Sequence, residues 1–410
     1  MKQTVENLKK NKITADDLFA DRMKNVPKSF IREILKVAIS PDIISFAGGL
    51  PNPDLFPVDE LKQSAAKVFD QMGRYALQYS NSEGYLPLRD YISNYYAEKH
   101  GLKVKPENIL ITSGSQQGLD LMGKILLNKA DKVIIEEPGY LGAIQALSLY
   151  APEFLPVKLH SDGMDTMQLE RVLHRNRPKL MYVVPEFQNP SGISYSPLKR
   201  KIVAELIANS SMYVVEDNPY IDLRFNESKS DSFYHVLPEK TILLGTFSKT
   251  IVPGFRMGWI AASDKIMDKL IIAKQAADLH TNVFTQMVLY QYLSDFDNEL
   301  HINKIITSYG NQCNRMIRAI DSCFPEGVEF TRPEGGMFLW VKLPDRFSSQ
   351  ELFRIALRKK VAFVPGDPFY TDKRTFYPTF RLNFSCSDEA AIQEGIARIG
   401  ESIDELSSEI

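Results

Sequence analysis

Six short apolar runs, separated by segments with helical spacing, occupy the middle of this sequence and restrict the folds open to it. They are rich in aliphatic and β-branched residues and lie at residues 109–112, 133–135, 180–184, 212–215, 241–244 and 259–262. Strands that alternate with helices are typical of a largely parallel sheet with helices on both faces. The sequence therefore predicts an α/β fold for this part of the chain.

The pattern changes after about residue 290. A long helical pattern covers residues 302–319, and strand-like runs follow at 336–341 and 380–384. We predict three parts, which are an N-terminal segment (1–47), a large domain (48–290) and a smaller α+β domain (291–410). The N-terminal segment is predicted to pack on the smaller domain, with a partner subunit as the alternative.

The overall charge argues against nucleic acid or a membrane surface as a partner. The 410 residues include 49 basic and 51 acidic side chains, and their formal net charge is −2. A nearly neutral chain has no long-range field that would attract a polyanion. Small molecules and a second copy of the chain are the partners that we expect.

Cysteine usage and hydropathy predict a cytoplasmic protein. Cys313, Cys323 and Cys386 show no CxxC or Cys/His ligand spacing, so we predict neither a disulfide scaffold nor a metal site. No stretch of about 18 apolar residues is present, and the N-terminus lacks the apolar core of a secretory signal.

Polar residues follow the third, fourth and fifth apolar runs, where a parallel sheet gathers its ligands. Asn189 lies in a Gln-Asn-Pro-Ser-Gly turn after the third run, and Asp217 and Tyr220 follow the fourth. Ser248 and Lys249 follow the fifth, with Arg256 shortly after them. These residues supply an amide, an acid, a phenol, an amine and a cation at one predicted edge.

Pyridoxal phosphate requires this combination of groups. It needs an amine for a Schiff base, an acid facing the pyridine nitrogen, donors at the ring oxygen and an anion pocket. The segment 112–119, in which a strand turns through Gly and Ser into a helix that includes Ser115 and Gln116, could complete the anion pocket. The alternative for this segment is an ordinary helix with a serine cap.

Each of these residues has a simpler explanation when it is taken alone. Lys249 could be a solvated loop lysine, Asp217 a helix cap, Arg256 a surface charge and Tyr140 the edge of the core. Their occurrence together, in strand order, favours the cofactor site over a set of independent coincidences.

The sequence resembles the fold-type I pyridoxal-phosphate aminotransferases, in particular the branch of 2-aminoadipate and kynurenine aminotransferases. The resemblance covers nearly the whole chain. Besides the strand-end motifs, it includes residues 31–36, 45–51, 77–80, 335–338 and 363–366. It implies a large domain with a mostly parallel seven-stranded sheet and a smaller domain formed by the C-terminal part and the N-terminal segment.

The resemblance assigns most of the cofactor contacts. It makes Lys249 the Schiff-base lysine and Asp217 the partner of the pyridine nitrogen. Tyr220 and Asn189 would hydrogen-bond the ring oxygen, and Tyr140 would stack on the ring. Further residues match phosphate ligands, namely Ser115, Gln116, Ser248 and Arg256, together with Tyr79 from a neighbouring subunit. This last match implies a homodimer with shared active sites.

The resemblance also assigns substrate contacts. Arg381 matches the arginine that binds the substrate α-carboxylate, and Gly49 and Asn189 would lie beside the same substrate. Arg32 matches an arginine that meets an acidic substrate side chain, although an ion pair with Glu33 on an amphipathic helix would explain it equally well. The segment 1–47 is therefore expected to reach the substrate site.

The predicted activity is transfer of an amino group from an L-amino acid to a 2-oxo acid. The donor is expected to be 2-aminoadipate, glutamate, or an aromatic or branched-chain amino acid, and the acceptor 2-oxoglutarate. A lyase or decarboxylase on the same fold would use the same lysine and aspartate and stays open as an alternative. A non-enzymatic effector-binding regulator is a further alternative, but regulators of this kind carry a DNA-binding domain ahead of the shared fold.

Overall fold

A mixed eight-stranded sheet forms the centre of the computed structural model, which describes residues 18–24, 40, 42–226, 231–372 and 376–408. Its strands are β2 (Ile109–Thr112), β3 (Lys132–Glu137), β4 (Glu153–His160), β5 (Gly163–Met164), β6 (Leu180–Val183), β7 (Tyr213–Asp217), β8 (Thr241–Thr246) and β9 (Gly258–Ala261).

The strand order is β2-β9-β8-β7-β6-β3-β4-β5. Strands β8, β7, β6, β3 and β4 are parallel, β9 is antiparallel to both of its neighbours, and β5 is antiparallel to β4. The expected mostly parallel sheet is confirmed, although it has eight strands instead of seven because the two-residue β5 turns back on the end of β4. Strand β4 was not predicted from the sequence, because it contains Pro156 and is half exposed, so that its apolar pattern is irregular.

Helices cover both faces of this sheet. The described helices that begin before residue 300 are α1 (Asp21–Lys24), α2 (Val58–Ala76), α3 (Leu86–His100), α4 (Ser115–Leu126), α5 (Leu141–Ser148), α6 (Thr166–Arg175), α7 (Pro197–Ala208), α8 (Phe233–Val236), α9 (Asp264–Asp278), α10 (Val283–Asp295) and α11 (Asn298–Cys323). Helices α4, α5 and α9 pack on one face of the sheet, and α3, α6, α7, α8 and α10 pack on the other.

Alternation along each strand assigns its side chains to one face or the other. In β6, Leu180 and Tyr182 join the core under α4 and α5, whereas Met181 and Val183 join the core under α6 and α7. Because helices cover both faces of the sheet, side chains on both sides of this strand are buried, and its sequence is apolar throughout.

A second, antiparallel sheet follows in the C-terminal part. The elements in and beside this sheet are β1 (Ile44–Ser45), β10 (Glu329–Phe330), β11 (Phe338–Lys342), β12 (Val361–Ala362), β13 (Val364–Pro365) and β14 (Thr379–Asn383), with helices α12 (Ser349–Arg358) and α13 (Glu389–Ser408). The strand order of the second sheet is β10-β11-β14-β13, and a parallel pair of β1 and β12 lies beside it. Short 3₁₀ turns occur at Pro53–Leu55, Pro106–Asn108 and Asp367–Phe369.

The pairing of β1 with β12 links the chain before residue 48 to the C-terminal part. The backbone of Phe46 also hydrogen-bonds Ala362 and Asn383. The boundaries proposed near residues 47 and 290 stay a prediction. In the part of the chain that the structure describes, no helix is both long enough and apolar enough to cross a membrane.

Candidate active site

A cavity of about 440 Å³ opens at the carboxyl ends of β6, β7 and β8. Every predicted site residue that the structure describes lines it, except Tyr79. Its walls are formed by Gly49, Ser115, Gln116, Tyr140, Leu141, Gly142, Gln145, Tyr182, Val184, Asn189, Asp217, Pro219, Tyr220, Thr246, Ser248, Lys249, Arg256, Phe369 and Arg381. Residues from five separate strand ends and from the second sheet thus share one space.

Lys249 follows β8 and points its amine into this cavity. Its Nζ donates a hydrogen bond to the carbonyl oxygen of Gly49 at 2.9 Å. Burial lowers the pKa of Lys249 to about 8, and the positive charges of Arg381 and Arg256 act in the same direction. At pH 7 about a tenth of this amine is therefore neutral, and so able to act as a nucleophile or base.

Asp217 is the last residue of β7, and its carboxyl group is buried. Oδ2 accepts a hydrogen bond from Tyr182 Oη at 2.6 Å. Oδ1 has no hydrogen-bond partner among the described residues. Burial raises the pKa of Asp217 to about 7, and the hydrogen bond from Tyr182 opposes this shift. A buried carboxyl oxygen without a partner fits a ligand that brings a proton, such as a pyridine nitrogen.

The start of α4 and Arg256 form an end of the cavity suited to an anion. The N-cap of α4 is Gly114, and no side chain caps the helix, so the alternative of an ordinary serine-capped helix is wrong. The first backbone N–H groups are therefore left for a ligand.

Gly114 and Arg256 are closely packed in this anion pocket. Gly114 has a φ of +78°, and a Cβ there would lie 2.5 Å from Arg256 Nη2. Nearby, the Ser248 hydroxyl accepts a hydrogen bond from Thr246 Oγ1 at 3.0 Å. Guanidinium, hydroxyl and helix N-terminus together provide the donors that a phosphate needs.

Three polar side chains, those of Tyr140, Asn189 and Tyr220, surround the expected position of the cofactor ring. Tyr140 is nearly parallel to Tyr182, with ring centroids 6.4 Å apart and an angle of 25° between the planes. Tyr220 is buried and hydrogen-bonded with Asn189, and burial raises the pKa of the Tyr220 phenol well above its usual value. This phenol stays a hydrogen-bond donor throughout the physiological pH range.

Arg381 enters the cavity from β14. Its Nη1 donates to Asn189 Oδ1 and its Nη2 donates to the carbonyl oxygen of Ala47, both at 2.9 Å. The guanidinium lies 4.3 Å from the ring centroid of Phe338. Burial lowers the pKa of Arg381 to about 10, and Tyr220 and Tyr140 act in the opposite direction. The group is still cationic at neutral pH and can meet a carboxylate.

Of the described predicted residues, Tyr79 is the one that is not part of this cavity. The Tyr79 side chain is 79% exposed and makes an edge contact with His280. Arg32 lies outside the described residues. Gln188, the other amide of the Asn189 turn, donates to Glu136 and to the Pro138 carbonyl oxygen instead of facing the cavity.

Sequence reasoning missed several cavity residues, above all Tyr182, Gln145 and Phe369. Tyr182 lies inside an apolar run and Phe369 in a 3₁₀ turn, where aromatic residues usually belong to the core. The alternation along β6 was the only available signal, since it places Tyr182 on the same face as Val184. No group of His, Cys, Asp and Glu side chains suited to a metal ion occurs in the described ranges.

Comparisons with known proteins agree with this geometry. The family model described as aminotransferase class I and II matches residues 41–399. The 2-aminoadipate transaminase of Thermus thermophilus is 40% identical over 94% of this chain and 96% of the relative. Aromatic-amino-acid aminotransferase 1 of Thermococcus litoralis is 38% identical over 98% of both chains.

A solved structure extends the similarity to three dimensions. The crystal structure of α-aminoadipate aminotransferase from Thermus thermophilus, complexed with N-(5′-phosphopyridoxyl)-L-leucine, superimposes with a TM-score of 0.90 at 38% identity. The match covers 97% of this chain and 100% of that one.

Proposed function

Since the chain belongs to the class I and II aminotransferases, and is therefore a pyridoxal-phosphate-dependent aminotransferase, we propose that Lys249 and Asp217 are its central catalytic pair. One observation carries this proposal. A buried amine with a lowered pKa shares a cavity with a buried carboxyl group whose Oδ1 has no partner among the described residues. The cofactor needs one group of each kind.

When bound, pyridoxal phosphate withdraws electrons from the substrate Cα and so makes its proton acidic. Lys249 Nζ, in its neutral form, accepts that proton and holds it until it is returned. Asp217 would keep a positive charge on the pyridine nitrogen through its free Oδ1. Tyr220 and Asn189 would orient the ring oxygen, and Tyr140 would cover one ring face.

The phosphate would be held at the start of α4. Ser115 and Gln116 would contribute the backbone N–H groups of the helix N-terminus, Ser248 a hydroxyl, and Arg256 its charged guanidinium. The close approach of Arg256 to Gly114 supports this arrangement because any side chain at residue 114 would displace the guanidinium.

Arg381 would bind the substrate α-carboxylate. Asn189 and the backbone of Ala47 hold its guanidinium in place, so little side-chain entropy is lost when the substrate binds. A Cβ on Gly49 would lie 3.4 Å from the Phe338 ring and 3.8 Å from Arg381 Nη2, which suits a residue that leaves room for the substrate.

We propose that the donor is 2-aminoadipate, glutamate, or an aromatic or branched-chain L-amino acid, and that the acceptor is 2-oxoglutarate. The names of the two relatives support acidic and aromatic donors. Among the described residues, the cations that line the cavity are Lys249, Arg256 and Arg381, and each already has a role. For a second substrate carboxylate we propose Arg32, as the resemblance implies.

We also propose a cytoplasmic homodimer in which Tyr79 reaches the phosphate of the neighbouring subunit. The exposure of Tyr79 and of the nearby Tyr75 and Leu77, 71–80% each, supports a surface that another subunit covers. Free cysteines support a reducing compartment. The near-neutral net charge supports small molecules, and not nucleic acid, as partners.

The visible absorption spectrum of the purified protein tests the cofactor and the donor together. With pyridoxal phosphate added, we expect a yellow band that bleaches when a suitable donor is supplied without an acceptor. The donors to compare are 2-aminoadipate, glutamate, phenylalanine, kynurenine, leucine and valine. A protein that stays colourless after incubation with the cofactor would overturn the proposal, and release of ammonia or carbon dioxide would favour the lyase or decarboxylase.

A further inference from the structure

The register of the central sheet brings a phenol to the catalytic carboxylate. Tyr182 in β6 pairs with Val215 in β7, and Asp217 lies two residues further along β7. Residues two apart on a strand face the same side of the sheet. Tyr182 and Asp217 therefore point into the same space, and the tyrosine side chain spans the distance between them.

The register produces a short hydrogen bond between Tyr182 and Asp217. Tyr182 Oη donates to Asp217 Oδ2 at 2.6 Å. This is the one hydrogen bond to the Asp217 side chain in the described part of the chain, and Oδ1 is left without a partner there. The phenol therefore determines which carboxylate oxygen is engaged and which is available.

Tyr182 is itself held rigidly. It is completely buried, belongs to the core under α4 and α5, and lies nearly parallel to Tyr140. Burial, and then the negative charge of Asp217, raise the pKa of the Tyr182 phenol well above its usual value. The hydroxyl thus keeps its proton and remains a donor at neutral pH.

We propose that Tyr182 is a positioning residue for the cofactor, which holds Asp217 as an ionised carboxylate with Oδ1 directed at the pyridine nitrogen. This inference rests on the proposed function, because it requires the cofactor ring to lie against Asp217. Tyr182 acts through Asp217 and does not touch the reacting atoms.

The physical reason is the cost of a buried charge. A carboxylate in this environment is stabilised by its hydrogen bonds, and here a single phenol supplies the protein's contribution. Without that bond the carboxyl group would take the proton that it otherwise leaves on the ring. Other titratable groups close to Asp217 or around the cavity are Glu136, Tyr140, Tyr220, Lys249, Arg256 and Arg381.

Tyr182→Phe tests the proposal, and the chain offers a matched control in Tyr195→Phe. Tyr195 is also a buried tyrosine whose hydroxyl donates to a buried carboxylate, with Oη 2.8 Å from Glu136 Oε1. The control removes the same group at similar burial but away from the cavity. Thermal unfolding of both cofactor-free variants establishes the shared structural effect of losing such a bond.

Three measurements on the full-length enzyme report the positioning role. For Tyr182→Phe we expect about tenfold weaker pyridoxal phosphate binding and about tenfold lower kcat, with the KM of the donor within about twofold of wild type. The pH midpoint of the visible absorption change should rise by about one unit. With less positive charge on the cofactor ring, the nitrogen of Lys249 that is bonded to the cofactor would lose less electron density to the ring, and its pKa would therefore be higher. Tyr195→Phe should keep the wild-type midpoint.

A double-mutant cycle with Asp217→Asn shows whether Tyr182 acts through Asp217. In the Asp217→Asn protein, the further change Tyr182→Phe should alter cofactor affinity by less than about twofold. Equal effects in both backgrounds, or a Tyr182→Phe midpoint equal to that of wild type, would overturn the inference. Failure of the wild-type protein to show the visible band would instead overturn the proposed function.

Discussion

Lys249 Nζ donates a hydrogen bond to the carbonyl oxygen of Gly49 at 2.9 Å, across 200 residues of sequence. The contact joins the end of β8 to the turn that follows β1, and so to the part of the chain that pairs with β12. The amine thus lies where the substrate-binding turn meets the central sheet.

Replacing Lys249 with Ala should abolish transamination without unfolding the protein. We expect turnover to fall by at least about 10²- to 10⁴-fold, because the variant has no group to move the Cα proton. Multiple-turnover assays measure the loss, and circular dichroism checks the fold. Pyridoxamine phosphate should still bind because the phosphate pocket is intact. Normal turnover in this variant would contradict the role of Lys249.

Capture of the cofactor by the cofactor-free protein should depend on pH. Only the neutral amine reacts, and the pKa of Lys249 is lowered to about 8, so the capture rate should rise with pH and reach half its maximum near pH 8. Rapid-mixing absorbance measures this rate.

Arg381→Ala provides the electrostatic check on that midpoint. It removes a positive charge that lowers the pKa of Lys249, and it should therefore move the midpoint to higher pH. A midpoint near 10.5 in the wild-type protein, the ordinary value for lysine, would show that Lys249 is not perturbed in this way.

Arg381→Lys should raise the KM of every amino donor by about one to two orders of magnitude, since a point charge replaces a planar fork that contacts both carboxylate oxygens. Affinity for pyridoxal phosphate should change little. Arg332→Lys is a suitable control because Arg332 is exposed and pairs with Asp321 on the surface. Equal KM values for Arg381→Lys and wild type would remove Arg381 from the substrate site.

Gly114→Ala should weaken cofactor binding through Arg256. The added Cβ would lie 2.5 Å from the guanidinium, which must move away from the phosphate pocket. Gly101→Ala is the matched control, because Gly101 also has a positive φ, +67°, but a Cβ there would meet nothing within 4 Å. Backbone strain should cost Gly101→Ala about 1 kcal/mol of stability, and Gly114→Ala about 1–3 kcal/mol, because the ψ of 162° at Gly114 lies outside the left-handed helical region.

Equilibrium dialysis with pyridoxal phosphate separates the two glycine variants. Only Gly114→Ala should show a raised dissociation constant. If both bind the cofactor equally well, Arg256 is not a phosphate ligand.

Mixed dimers test whether Tyr79 serves the neighbouring subunit. Tyr79→Phe alone should weaken pyridoxal phosphate binding by about tenfold, because a hydrogen bond to a charged group is lost. Mixing it with Lys249→Ala subunits should restore tight binding and activity at one site per hybrid dimer, since that site combines a native Lys249 with a native Tyr79. If mixing restores nothing, Tyr79 does not act across the interface.

The architecture of the central sheet and the polar groups at its edge could be predicted from local sequence patterns. Asn189, Asp217, Ser248 and Lys249 each follow an apolar run closely, and the direction of parallel strands brings such positions together. This inference needs only local information, because strand periodicity and turn residues act over a few positions. The irregular, half-exposed β4 gave no such signal, and its strand was missed.

The side chains that complete the site could be identified only from the folded structure. The contacts of Asp217 with Tyr182, and of Arg381 with Asn189 and Ala47, span 35, 192 and 334 residues. The first depends on strand register, the second on how the second sheet docks beside the first, and the third on the pairing of β1 with β12 beside the second sheet. No local pattern predicts these contacts, because each requires two distant segments to be brought to hydrogen-bonding distance by all the packing between them.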